Sequence, residues 1–349
     1  MLISKKNKRL ISIRLGRLIE GIIFLAKRLL AVNFNGFTNI YLVFASSKIA
    51  CLGNVDNNSC KSLLNRLNTF KGCLTMTDNT LSAITLYPVK SLAGISVNSW
   101  PVIRTGLKYD RQWMLIDAEQ QFLSQRKLPS MALIKTALTE THLILSVHGK
   151  DDLLLALVPI GGNVIDSQIW ADQCAATSVS LEADQWLSDF LKRDCRLVYQ
   201  PETLMRVVDA HYGLPTDTVA FSDGFPFLII SENSLVSLNN DMALNLPMTR
   251  FRPNLVVSGC EGYAEDSWRE ISIGAIDFRL PKPCSRCSVV VIDPESAEVG
   301  QEPLRTLNLT RKWQNKVYFC QNALHDQQGR LTVGDRVHVK ATGDRNPPL

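Results

Sequence analysis

Two cysteines three residues apart, Cys284 and Cys287, lie in the segment PKPCSRC between two β-prone stretches. A C-x-x-C pair serves several chemistries. As half of a zinc site it needs a second Cys or His pair, but Cys260 and Cys320 are isolated in sequence and no H-x-x-H or second C-x-x-C exists. As a thioredoxin-type motif it should open a helix, whereas Ser288-Val-Val-Val-Ile292 reads as a strand. Two inert buried thiols are the plain alternative. Arg286 weighs toward a ligand role, because a cation beside Cys287 favours the thiolate, the form that binds a metal.

The segment Phe251-Arg252-Pro253-Asn254 offers a second constellation. In a strand Arg252 and Asn254 face the same side, and Pro253, without an N–H, places that strand at an edge or a bulge. Such a pair can hold an anionic or amide-bearing ligand; a solvated Arg beside a turn is the alternative. A third group is Tyr87-Pro88-Val89-Lys90-Ser91, followed by Gly94 and by Asp110-Arg111. An ammonium, a hydroxyl and a guanidinium fork suit a phosphate, although a P-loop is excluded and an ordinary surface loop has the same composition.

Other chemistries find little support. The five histidines are scattered, and G-x-S-x-G, H-E-x-x-H and G-x-G-x-x-G are absent, which argues against common hydrolases and dinucleotide enzymes. Nine cysteines without disulfide spacing suit a reducing compartment. The net charge of +5 is unevenly spread. Residues 1–75 carry twelve Lys and Arg against Glu20 and Asp56, a net +10, which leaves −5 on the remainder and little basis for nucleic-acid binding.

The elements that must position these residues are mostly strands. Apolar alternation marks short strands at Ile84–Val89, Trp113–Ile116, Leu133–Leu138 and Leu143–Val147, a spacing that suits a barrel or curved sheet. A helix is expected over Leu181–Lys192, and a second begins after Ser231 as N-cap and buries Leu235 and Leu238. Strands return at Leu255–Ser258, Ile276–Leu280 and Ser288–Ile292, and Leu331 to Val339 alternate around Gly334-Asp335. The basic leader differs. Its uncharged run of 19 residues between Arg28 and Lys48 is a polar, weak membrane-spanning candidate, and Leu10–Leu30 could lie as an amphipathic helix on a membrane. A start at Met76, with the leader outside the working protein, is the simpler reading.

The order of these motifs resembles the MOSC-domain oxidoreductases, the family of the amidoxime-reducing and YcbX-like proteins. LYPVKSLAG, FSDGFPFLIISENSL, FRPNLVVSG, YAEDSW, KPCSRC, VIDPESAEVGQEPLRTL and LTVGDRVHV follow in register across residues 82–341. The resemblance implies a mainly β fold with some α: a leader over 1–75, an N-terminal MOSC-type β-barrel domain over 82–200, a MOSC β-barrel domain over 201–342 and a tail over 343–349. It implies a molybdenum cofactor (Mo-molybdopterin) held between the two domains, with Cys287 as the protein's molybdenum ligand. Lys90, Ser91 and Arg111 match positions that hold the pterin's phosphate. Arg252, Asn254, Ser285 and Arg286 match the pterin- and metal-lining positions, to which Asn322 is added, and Asp223 of FSDG matches an acid near the active centre. The family often has Gly where this chain has Cys320 in FCQN, so the cofactor-side loop is expected to differ there.

The activity so implied is two-electron reduction of a small N-hydroxylated compound, an amidoxime or hydroxylamine. No flavin or iron–sulfur motif is present, so electrons are expected from a separate ferredoxin-, flavodoxin- or cytochrome b5-like carrier with its reductase. A non-catalytic cofactor or sulfur-carrier module is the alternative, and a zinc-binding structural module a distant third. A cytoplasmic location is expected, with a membrane anchor through the leader as the alternative.

Overall fold

The protein's structure, a computed structural model, describes residues 30–33, 39–45, 48–52 and 78–348. It divides into two compact units, Met1–Met76 and Thr77–Leu349. In the first, the strands Leu30–Asn33, Asn39–Ala45 and Lys48–Leu52 form an antiparallel three-stranded sheet. Where it is described, the uncharged run is therefore extended, and the spanning-helix reading is corrected. The amphipathic-helix expectation falls almost wholly on residues 10–29, outside the described residues. Among the described residues no helix is long and apolar enough to cross a membrane.

The second unit is mainly β, as expected. Its largest sheet runs in the order Val337–Thr342, Trp268–Ile273, Ile276–Ser285, Lys316–His325, Phe227–Ser231, Leu255–Ser258, Thr80–Leu86 and Ile95–Val97, with the short Lys312–Trp313 strand paired to Lys316–His325. The Phe227–Ser231 and Leu255–Ser258 strands are parallel, which requires a crossover. The helix Glu232–Met242 supplies it. Ser231 Oγ accepts from the Ser234 N–H as N-cap, Leu235 and Leu238 are buried, and Ala243 ends the helix in the left-handed conformation. A hydroxyl cap of this kind contributes about 1 kcal/mol.

Side-chain alternation sets the packing. In Trp113–Ile116 all four residues are buried, because both faces of the strand are covered. Trp113 and Leu115 enter one core with Leu143, Leu145 and Leu187, while Met114 and Ile116 enter another with Ile169 and Phe221. In Thr80–Leu86 the register shifts between Val256 and Val257. The extra residue is Ser82, so Leu81 and Ile84 reach one core although three positions apart.

Some expectations need correction. Ser288–Val291 is a 3-10 turn with Val290 and Val291 buried in the core, because the chain must fold back after Cys287. It is too short to be a thioredoxin-type helix, so that exclusion stands. Leu133 closes the 3-10 turn Pro129–Leu133, and the following strand is Lys135–Leu138. Phe251-Arg252-Pro253-Asn254 is not a strand: Met248–Phe251 is a 3-10 turn and Arg252 is left-handed at φ 56°. The strand that follows is internal rather than at an edge.

Candidate active site

The register brings one end of five neighbouring strands together. Leu228 pairs with Asn322, Lys282 with Asn322, and Ile229 with Leu255, which in turn pairs with Ile84. Asp223 therefore precedes Phe227–Ser231, Arg252 and Asn254 precede Leu255–Ser258, and Lys90 and Ser91 follow Thr80–Leu86, while Ser285 ends Ile276–Ser285 with Arg286 and Cys287 just beyond it and Asn322 lies within Lys316–His325. Arg111 joins them because its N–H donates to Tyr87 O at 2.8 Å and the Lys90 N–H donates to Trp113 O at 2.8 Å. All ten expected positions line one cavity of about 160 Å³. That is roughly ten times the space of about 10–15 Å³ that seats one water.

Asn254 is 1% exposed and ties the wall together. Its Oδ1 accepts from Arg111 Nη1 at 2.9 Å and from the Leu228 N–H at 3.2 Å, and its Nδ2 donates to Thr85 O at 3.2 Å. With its amide so engaged, Asn254 orients Arg111. Tyr87 is the platform beneath both guanidiniums: Arg111 lies 4.5 Å and Arg252 4.2 Å from its ring centroid, and its hydroxyl donates to Pro253 O. Burial pushes the Tyr87 phenol up to about 12, so it stays neutral. Gly94 is required here, since a Cβ on it would sit 2.5 Å from the Tyr87 ring.

Lys90 is 7% exposed. Its Nζ donates to Phe221 O at 2.8 Å and to Asp223 Oδ1 at 2.5 Å. Burial lowers the Lys90 pKa, with Asp223 opposing. For Asp223 burial acts upward, but the Lys90 ammonium overcomes it and holds the carboxyl well below the ordinary range. The Asp223 side chain is 67% exposed at the cavity mouth, so water screens this pair.

The three thiols of this region are arranged differently from the expectation. Arg286 Nη1 donates to Cys284 Sγ at 3.1 Å and Nη2 to Phe251 O at 2.8 Å. Its hydrogen bond thus falls on Cys284, while Cys287 is exposed at the cavity. Cys320 is not isolated in space: burial pushes its thiol up, and Arg286 and Cys284 both act on it. It sits inside the Lys316–His325 strand at φ 74°, where two residues of that strand oppose Cys284 alone. A left-handed residue in such a bulge is where Gly is favoured, which accounts for the Gly that the resemblance expects. The departure lies in a strand, not a loop.

Five cations, Lys90, Arg111, Arg126, Arg252 and Arg286, line the cavity against one carboxylate, Asp223. Burial brings the Arg252 guanidinium down to about 10, with Arg111 pushing the same way. Arg286 Nε is buried without a partner. Ser91, Arg111 and Arg252 all hold positive φ, a strain that folds tolerate mainly at functional sites. Unmatched positive charge, an orphaned donor and an exposed thiol fit a group that carries both a phosphate and a thiophilic metal. Among the described residues no cluster of His, Cys, Asp or Glu could hold a metal alone, so the metal would have to arrive with other ligands.

Sequence reasoning missed Phe122, Ser124, Arg126 and Ser222 in the lining, and Trp170, whose indole N–H donates to Asp223 Oδ1 at 3.2 Å. Ser222 lies in FSDG beside Asp223, but the others come from segments without a motif; only the coupled cation–aromatic pair of Arg126 and Trp170 would have been a signal, and it joins residues 44 apart.

Residues 78–194 match the MOSC N-terminal beta barrel domain and residues 216–338 the MOSC domain. Mitochondrial amidoxime-reducing component 1 of Mus musculus is 34% identical over 278 residues, 74% of this chain and 82% of the relative. The Homo sapiens protein of the same name is 33% identical over 280 residues, with the same shares. Molybdenum cofactor sulfurase of Solanum lycopersicum is 34% identical over 266 residues, 68% of this chain and 32% of the relative, so the chain spans about a third of that protein.

Proposed function

The chain belongs to the MOSC-domain family, and from that membership we propose that it is a molybdenum-cofactor-dependent oxidoreductase acting on N-hydroxylated compounds. One observation carries the reading: all ten residues matched to cofactor and active-centre positions, drawn from separate segments, line a single basic cavity with Cys287 exposed in it. The division into an N-terminal domain over 82–200 and a second over 201–342 belongs to the same proposal, with Thr80–Leu86 and Ile95–Val97 lent to the sheet of the second half.

In this reading Lys90, Ser91 and Arg111 hold the phosphate, Arg252, Ser285, Arg286 and Asn322 line the pterin, Asn254 fixes Arg111, and the Cys287 thiolate ligates the metal. When bound, the cofactor supplies the two-electron redox chemistry that cleaves an N–O bond. Converting an amidoxime to its amidine and water consumes two electrons and two protons. Asp223, held ionised by Lys90, accepts N–H groups of substrate or cationic product at the mouth and is not the proton donor. Electrons come from a separate carrier and its reductase, as the naming of the amidoxime-reducing relatives as a component is consistent with.

The test is molybdenum and pterin analysis of the full chain from a host that makes the cofactor, followed by turnover of benzamidoxime. Near-stoichiometric molybdenum and reduction with an artificial one-electron donor, but not with NADH alone, are expected. A chain that holds no molybdenum would overturn the proposal. The sulfurase relative favours a second reading, a sulfur-carrying module with Cys287 as the exposed acceptor thiol. Cyanide-releasable sulfur on Cys287, without turnover, would select it.

A further inference from the structure

We propose that Arg126, seated over the Trp170 ring, is a further anion-binding residue at the mouth of this cavity, and that it receives an oxyanion: the cofactor's phosphate or a carboxylate on the substrate. For what the cavity holds, the inference rests on the reading above.

Arg126 lines the cavity. Its guanidinium carbon lies 4.0 Å from the Trp170 ring centroid and 5.9 Å from that of Phe122. Lys90 Nζ lies 5.3 Å from the same Phe122 ring, so two cations flank one aromatic side chain. Phe122 and Trp170 meet edge-on at 4.9 Å. Trp170 turns the hairpin between Val164–Ile169 and Asp172–Ser178 at φ 58°, and its indole N–H is tied to Asp223. The indole is thereby fixed at the rim although 46% exposed.

The charges explain why Arg126 is available. Lys90 is paired with Asp223 and Arg111 with Asp110. Arg126 has no ion pair and no hydrogen-bond acceptor among the described residues; Asp223 acts on it only at longer range. Stacking uses the face of a guanidinium and leaves its N–H groups free at the edge, aligned for a bidentate oxyanion. A fixed, unneutralised fork beside a cation-lined cavity is built for an anion that the protein does not itself supply.

Tryptophan fluorescence of the full chain, purified from a host unable to make the cofactor, reads the site directly. Titration with inorganic phosphate and with benzoate should give a saturable change that is absent in Trp170→Phe. The affinity should weaken about tenfold in Arg126→Met and less in Arg126→Lys. Two further arms identify the anion. If it is the cofactor's phosphate, Arg126→Met purified from a cofactor-making host carries much less molybdenum and pterin per chain than wild type. If it is a substrate carboxylate, cofactor content holds and the kcat/KM ratio of 4-carboxybenzamidoxime over benzamidoxime falls about tenfold. Wild-type affinities, cofactor content and ratio in Arg126→Met would overturn the inference. Wild-type chain without molybdenum would sink the functional reading instead, while the fluorescence arm still judges Arg126.

Discussion

Lys90 and Asp223, 133 positions apart in sequence, meet at 2.5 Å where the cavity opens. The pair fixes the protonation of the one carboxylate in the cavity wall. Because the folded pKa of Asp223 is depressed, its contribution is complete above the ordinary carboxylate value of about 3.9 and is lost only as pH falls below it. Between about pH 5 and 8 the wild-type kcat/KM profile should show no acidic limb that Asp223→Asn removes. An acidic limb abolished by that substitution would make Asp223 a titrating acid and refute its assigned role.

The neighbouring thiols should separate cleanly. Cys287→Ser is expected to lose molybdenum and activity together, as a hydroxyl is a poor substitute for a soft thiolate. Cys284→Ser keeps an acceptor for Arg286 and should retain most of both. Cys284→Ala removes that acceptor and should destabilise the fold by about 1–3 kcal/mol, measured by urea unfolding. Equal loss of metal in both serine variants would point to a paired-cysteine site.

Gly94→Ala drives a methyl into the Tyr87 ring. Displacing that ring disturbs Arg111 and Arg252 together, so the variant should lose about 1–3 kcal/mol and bind less cofactor. Unchanged stability with full cofactor would mean that the ring can move freely, contrary to its packing.

The YAEDSW motif is structural rather than catalytic. Glu265 accepts from Ser234 Oγ at 2.6 Å beside the helix N-cap. Asp266 accepts from Arg311 at 2.8 Å and from Gln321 at 3.0 Å, with the Asp266 and Arg311 side chains 2% and 5% exposed. Removing one partner of a buried pair typically costs about 3–5 kcal/mol. Asp266→Ala should show a loss of that size in chemical denaturation, with normal kcat in whatever fraction remains folded.

The second compact unit begins at Thr77, and a chain beginning at Met76 is expected to melt at the full-length temperature in calorimetry. A drop of several degrees would show that the leader packs on the body.

What the sequence by itself determined is local or ordered along the chain. The Ser231 cap, the Leu181–Leu191 helix and the Trp113–Ile116 strand follow from side-chain chemistry and periodicity within a few residues. The motif order supplied the ten cavity positions. Tertiary structure decided which groups meet. Ser288–Ile292 has the composition of a strand but turns, because burying Val290 and Val291 after Cys287 outweighs its propensity. Arg286 is adjacent to Cys287 in sequence yet bonds Cys284, since the preceding strand ends only at Ser285 and aims the guanidinium back toward Phe251. Arg126 and Trp170 carry no motif, and their stack exists only because a hairpin tip folds over the mouth of the cavity. Contacts of that kind depend on strand register and on where loops close, and neither is set by the residues nearby in the chain.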